Sequence, residues 1–197
     1  MQDLGNIWLI VGIAVLVLVV LLIVFFVARR RRARRSEEQR ERTREEFGAE
    51  YDRTARERGS EEDAESELRR RRGRVERQVR PLSDEGRQRY EGRWIEAERL
   101  FVDNPQRSVE MADRTISDLL DERNLVSDAA QSDEETEKNL GVLYPRAAED
   151  YREARRIRAR VIGRSAGEEE GSASEATEEM REAIRRYRAV YERLVEG

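Results

Sequence analysis

Hydrophobic positions along the chain fall into three regimes. Residues 4–28 carry no charge, and from 7 to 27 every residue other than Trp8, Gly12 and Ala14 is Ile, Leu, Val or Phe. A block that is apolar on all faces, and long enough at ~1.5 Å per residue to cross a core of ~30 Å, predicts a transmembrane helix over 7–28. Residues 29–80 are the opposite, apolar only at Ala33, Phe47, Ala49, Tyr51, Ala55, Ala64, Leu68, Val75 and Val79. Their Arg, Glu, Gln and Ala content predicts charged helices with a break at Gly59-Ser60. So few apolar groups predict a poorly packed spacer, because burial does not offset the entropy of ordering. Ser36-x-x-Gln39 has the form of a capping box, and Glu38/Arg42 and Glu65/Arg69 are spaced i,i+4.

From 81 onward the period becomes helical. Ser83 follows Pro81-Leu82 as an N-cap candidate, and Tyr90, Trp94, Ala97 and Phe101 share one face. Asn104-Pro105 predicts the end of one helix and the start of the next, since proline at the first helical position lacks only an N–H that would be unpaired anyway. Val109, Ala112, Ile116, Leu119 and Leu120 form the second stripe. Ser127 to Gly141 is a weaker helical stretch with Ser132-x-x-Glu135 as its cap. Tyr144-Pro145 opens a helix with Ala147, Tyr151, Ala154 and Val161 on one face and Ala148, Ile157 and Ile162 beside it. Residues 81–162 thus predict a helical bundle. Gly163 to Ser174 reads as a linker, and 175–197 as an amphipathic helix. On that helix Met180, Ile184, Tyr187, Tyr191 and Leu194 step by heptad spacing. The seam suits packing on the chain's own bundle or self-association as a coiled coil. Fewer than three heptads are present, which favours the first. No stretch alternates with period 2 and no Asn-Gly or Asp-Gly hairpin signal occurs, so the fold class is all-α.

Charge sets the expected topology. Arg29, Arg30, Arg31, Arg32, Arg34 and Arg35 follow the apolar block directly, while Asp3 is the one charged side chain before it. The positive-inside rule places residues 1–6 outside and the body in the cytoplasm. Insertion of 7–27 is favoured by roughly 5–11 kcal/mol at ~0.3–0.6 kcal/mol per Ile, Leu, Val or Phe. A cleaved secretory signal, which would make this a secreted helical protein, fits less well. No Lys or Arg precedes Ile7, the run is longer than the usual ~7–15 residues, and arginines stand where a small-x-small site would be. The collar is also a candidate for anionic lipid, at ~1 kcal/mol per basic residue.

Composition removes several chemistries. There is no Cys and no His. Disulfides, Cys/His zinc sites, cysteine nucleophiles and Ser-His-Asp triads are therefore excluded. Charged residues reach 42% of the chain, against about 25% in ordinary domains. Without the collar and Asp3, residues 36–197 hold 33 basic and 42 acidic residues, a net −9. That balance argues against nucleic acid as a partner. The run Arg69, Arg70, Arg71, Arg72 and Arg74 follows Glu61, Glu62, Asp63, Glu65 and Glu67, so local pairing is expected. Trp94 and Phe101 read as core rather than pocket. Adjacent acids such as Asp121 and Glu122 arise by chance among 43 acidic residues.

Several short runs are specific. FGAEYDR (47–53), LSDEGRQRYEGRW (82–94), FVDNP (101–105), Ala112-Asp113 and Tyr151-Arg152 with Ala154 stand in one order. Over roughly 47–160 this resembles a family of uncharacterised actinobacterial proteins with the pattern F-G-x-E-Y-D-R, R-x-x-W, F-V-D-x-P, A-D and Y-R-x-A. The family's R-G-Y-P-like turn corresponds to Arg123-Asn124-Leu125 here, and a family His to Arg155. The resemblance implies a helical body and a GC-rich bacterial source, and no activity, cofactor or catalytic residue.

The combined expectation is a single-pass membrane protein: a transmembrane helix, charged juxtamembrane helices and a small cytoplasmic helical bundle. It is expected to bind membrane lipid and a protein partner or a second copy of itself, with no enzymatic role, no metal and no cofactor. An anionic-lipid-binding surface protein is the alternative.

Overall fold

The computed structural model describes residues 40–126, 133–164 and 172–196, and every regular element among them is helical. The chain divides into two compact units, Met1–Glu45 and Glu46–Gly197. Of the first, residues 40–45 are described and are helical. The predicted span 7–28 and the collar Arg29 to Arg35 lie outside the described residues. Among the described residues no helix is long and apolar enough to cross a membrane.

Among its described residues the second unit contains the helices α1 (Ala49–Arg58), α2 (Glu61–Gln78), α3 (Asp84–Asp103), α4 (Pro105–Glu122), α5 (Asp133–Leu143), α6 (Pro145–Arg164) and α7 (Ser172–Glu196). The α3–α4 and α6–α7 pairs form hairpins, and α4 packs on α7. The α1–α2 hairpin joins through α5, which packs on both α2 and α6. One continuous cluster of buried side chains runs through all seven.

The breaks follow local chemistry. Gly59 ends α1 in the left-handed region at φ 73°, where a Cβ is disfavoured. Ser60 and Ser83 accept from backbone amides three residues on and cap α2 and α3. Asn104 Oδ1 accepts from Arg107 N at 3.0 Å, with Pro105 beside it at the start of α4. Asn104→Ala is expected to lower Tm by about 2–4 °C, the effect of ~1 kcal/mol in a domain of this size, as read by thermal unfolding. The α3–α4 hairpin closes tightly because Ala97 and Ala112 are fully buried and small. Ser108 Oγ donates across it to the Ala97 carbonyl at 2.7 Å.

Three expectations are corrected. Residues 46–78 are not a poorly packed spacer. Phe47 and Tyr51 are buried, as are Ala64, Leu68 and Val75 on α2. A count of apolar residues averages over all faces of a helix, whereas burial needs only one stripe, and 64-68-75 supplies it. Phe101 and Ile162 leave the core: Phe101 is half-buried beneath Arg181, 5.8 Å from its ring centre, and Ile162 is exposed. The linker is shorter than 163–174, since α6 runs through Gly163 to Arg164 and α7 begins at Ser172. The predicted cap Ser132 lies outside the described residues, and α5 starts at Asp133.

After α4 the chain turns through Asn124, at φ 58° the one described non-glycine residue with positive φ. Asparagine tolerates this region better than most residues. Its side chain donates to the Gln78 carbonyl at 3.0 Å. The preceding Arg123 is only 1% exposed. Its guanidinium donates to the carbonyls of Leu194 (2.7 Å) and Arg80 (3.3 Å) and to the Tyr144 hydroxyl (3.3 Å). No carboxylate pairs with it among the described residues. The ends of α2, α4 and α7 converge here instead, and their carbonyls supply the compensating negative field.

Candidate functional site

The sequence-predicted sites fall in three places. Arg29, Arg30, Arg31, Arg32, Arg34 and Arg35 are outside the described residues. The α7 seam points into this chain's own core. Tyr187, Tyr191 and Leu194 are buried, and Met180 and Ile184 are half-buried against the same cluster. Tyr191 stacks on Trp94 with ring centres 4.9 Å apart and planes 11° apart. The second arginine run is paired within the chain. Arg69 meets Glu65, Arg70 meets Glu67, Arg71 meets Glu135 at 2.9 Å, and Arg72 bonds Glu76 at 2.8 Å and also meets Glu46. Asp121 and Glu122 do not act as a pair, because Glu122 accepts from the Tyr90 hydroxyl (2.9 Å) and Arg89.

Of the three buried carboxylates Glu50, Glu67 and Asp113, sequence reasoning missed the burial of Asp113 and Glu50. Asp113 sits on α4 between buried Ala112 and Ile116. It accepts a 2.8 Å bond from the Tyr187 hydroxyl on α7, and faces Arg158 at 3.3 Å and Arg155 at 3.9 Å on α6. Tyr151 meets the Tyr187 ring edge-on at 6.4 Å. Burial, with the Asp113 charge second, pushes the Tyr187 hydroxyl up. Arg155 also holds Asp133 at 2.5 Å and lies over the Tyr151 ring.

Glu50 on α1 is 2% exposed. Arg53 donates to its Oε1 at 2.7 Å, and Arg152 stands 3.8 Å from Oε2. Among the described residues Oε2 accepts no hydrogen bond. Gly141 on α5 makes room for it, since a Cβ there would lie 3.1 Å from Oε2. Burial pushes Glu50 above its ordinary value of 4.5, outweighing Arg53, Arg152 and Arg71. Between 4.5 and that raised value the folded state holds a proton the unfolded state has released. Stability from Glu50 is therefore present on the acid side and lost as pH rises through that window. Glu50→Gln is expected to remove this component. The wild-type minus variant stability, from urea unfolding, should decrease as pH rises from 4.5 to the raised value and level off above it; parallel profiles would contradict it.

The two carboxylates belong to one ionic layer. Glu137 on α5 feels Arg152, Arg155 and Arg53 together, though burial still pushes it up. The runs singled out by resemblance meet in this layer: Glu50 and Arg53 from the first, Asp113 from A-D, Tyr151 and Arg152 from Y-R-x-A. The one available signal was an acid within an apolar stripe, at Ala112-Asp113. The arrangement holds helices in register. The carboxylates face arginines and tyrosine, and no group of three or more Asp or Glu suited to a metal occurs among the described residues. An open cleft of about 670 Å³ lies between α3 and α4, lined by Arg93, Glu96, Arg107, Glu110 and Arg114 among others. Its charges are mixed, and it is separate from the ionic layer.

No protein-family model, curated protein or solved structure matches this chain.

Proposed function

We propose that this protein is a single-pass membrane protein whose helical body serves as an interaction module on the cytoplasmic side. The observation that carries the reading is the junction itself: an uncharged stretch over 4–28 meeting Arg29 to Arg35 without a spacer. The body supports it by its chemistry. Its buried acids are held by arginines and a tyrosine, an arrangement suited to a rigid scaffold rather than to turnover. Confinement to a membrane raises the effective concentration of such a scaffold toward partners in the same plane. The actinobacterial resemblance over 47–160 is consistent with this role and adds no activity.

Membrane fractionation and protease protection test the anchor. The chain is expected in the membrane pellet after carbonate washing, with its body protected in intact cells. Recovery of a shortened chain from the medium would refute the reading. Crosslinking in native membranes tests the module, and a body that stays monomeric and captures nothing counts against it. The collar supports a second reading as an anionic-lipid-binding surface, which predicts that lipid charge changes the body's mobility in reconstituted vesicles.

A further inference from the structure

The arginine run on α2 is paired, yet the pairing is lopsided. Buried Glu67 is shared by Arg58 (3.1 Å), Arg70, Arg71 (3.8 Å) and Arg74 (3.9 Å). One carboxylate cannot neutralise four guanidinium groups, and of the four only Arg71 meets a second acid among the described residues, Glu135. Arg77 and Arg80 form no ion pair among the described residues. From Arg69 to Arg80 the exposed charged side chains are Arg69, Arg70, Arg74, Arg77 and Arg80 against one acid, Glu76, which Arg72 holds at 2.8 Å. Arg69, Arg70, Arg74 and Arg77 fall on the side of α2 opposite buried Ala64, Leu68 and Val75. Gly73 stands among them. A Cβ there would lie 3.6 Å from the Arg77 guanidinium, so Arg77 folds back along the strip.

The sign of this strip and its lack of apolar groups select the occupant. The large apolar side chains exposed among the described residues are Ile95, Val102 and Ile162, and none is on α2. A protein interface centres on apolar or aromatic anchors, which the strip lacks. A field of phosphates needs only charges within reach, and the guanidinium fork matches phosphate oxygens. The acids of α2 sit in its first turn, Glu61, Glu62 and Asp63. They lie ~16 Å or more along the helix from Arg74, about two Debye lengths at physiological salt. Residues 36–197 carry a net −9, so an anionic surface repels the body at large and draws this face. An anchored chain has such a surface beside it at all times. We infer that the outer face of α2 lies against the anionic lipid headgroups of the membrane that holds the anchor, and so turns the rest of the body away from it. This deepens the anchored reading above and rests on it.

The chain has no Cys, so Ser66→Cys, exposed on the same face, gives a single labelling site for a fluorescent donor. The full chain is reconstituted in nanodiscs of phosphatidylcholine, alone or mixed with phosphatidylglycerol, each carrying acceptor-labelled lipid. Energy transfer is expected to be stronger in the mixed discs and to fall to the neutral-disc level as salt rises. Arg77→Gln, which breaks no ion pair, should lower the docked-to-free ratio about fivefold. Arg74→Gln, Arg77→Gln and Arg80→Gln together should lower it about a hundredfold with helicity unchanged. Transfer that ignores lipid charge would overturn the inference, as would a lipid dependence that survives the triple change and so belongs to the collar. Charge-blind transfer with poly-glutamate or duplex DNA bound by wild type and not by the triple variant would assign the strip to a protein or a nucleic acid instead. Size exclusion separates the two readings. A chain retained in the discs with charge-blind transfer sinks only the α2 face, whereas a chain that elutes apart from the discs sinks the anchor and this inference together.

Discussion

Arg123→Met is expected to destabilise the folded body by about 3–5 kcal/mol, the largest effect of any single change considered for this chain. The side chain is 1% exposed and donates three hydrogen bonds, to the Leu194 and Arg80 carbonyls and the Tyr144 hydroxyl. Methionine fills similar volume but supplies no donor. The Leu194 carbonyl, in a residue with no exposure, would lose its charged partner, at a cost of ~1.5–3 kcal/mol. The remaining loss comes from the two longer bonds and from the guanidinium 5.8 Å from the Tyr144 ring centre. Arg123→Lys should recover less than half, since one ammonium cannot serve acceptors that the planar fork reaches in three directions. Urea unfolding decides it: a midpoint shift worth under ~1 kcal/mol would show that these helix ends hold without the cation.

Asp113→Ala is expected to cost about 2–4 kcal/mol. It removes the charged acceptor of the Tyr187 hydroxyl and the counter-charge of Arg158 and Arg155. Those arginines keep 31% and 24% of their side-chain surface exposed, so water recovers part of the ion-pair loss. Asp113→Asn keeps an acceptor for the hydroxyl and should cost nearer 1 kcal/mol. Tyr187→Phe combined with Asp113→Ala gives a double-mutant cycle in which a coupling of about 1–2 kcal/mol is expected; additivity would dismiss the bond as a stabilising contact. The hydroxyl also has a signature in pH. Burial holds its pKa above the ordinary 10.0, so the unfolded chain loses that proton first. Stability from this group is intact below pH 10 and falls as pH rises beyond it. Tyr187→Phe should reduce that alkaline loss.

Much of the local plan was legible. Ser83 and Asn104 cap helices where their sequence context indicated, the chain breaks at Gly59-Ser60, and Pro105 and Pro145 open helices. The stripe Val109, Ala112, Ile116, Leu119 and Leu120 is wholly buried. These features need only neighbours within a turn or two, so the period and the capping residues carry them. Packing of 46–78 was not legible, because average apolar content does not say whether the few large groups share a face. Phe101 was misplaced for the converse reason: it continues the Tyr90 stripe, but the helix ends two residues later at Asp103, and the ring meets Arg181.

The amino-acid order alone determined the all-α class that the described residues show, the punctuation of most of their helices, and the absence of thiol and imidazole chemistry. The positions of burial for Arg123, Asp113 and Glu50 were decided by tertiary structure. In sequence each is one more charged residue in a chain that is 42% charged. The partners of Arg123 and Asp113 are remote, 71 residues from Arg123 to Leu194 and 74 from Asp113 to Tyr187, whereas Glu50 bonds Arg53 three residues on and has Arg152 as its distant charge. A charge is stable in the interior only where distant carbonyls, arginines or hydroxyls arrive together. That coincidence is a property of the packed helices and not of any local run of residues.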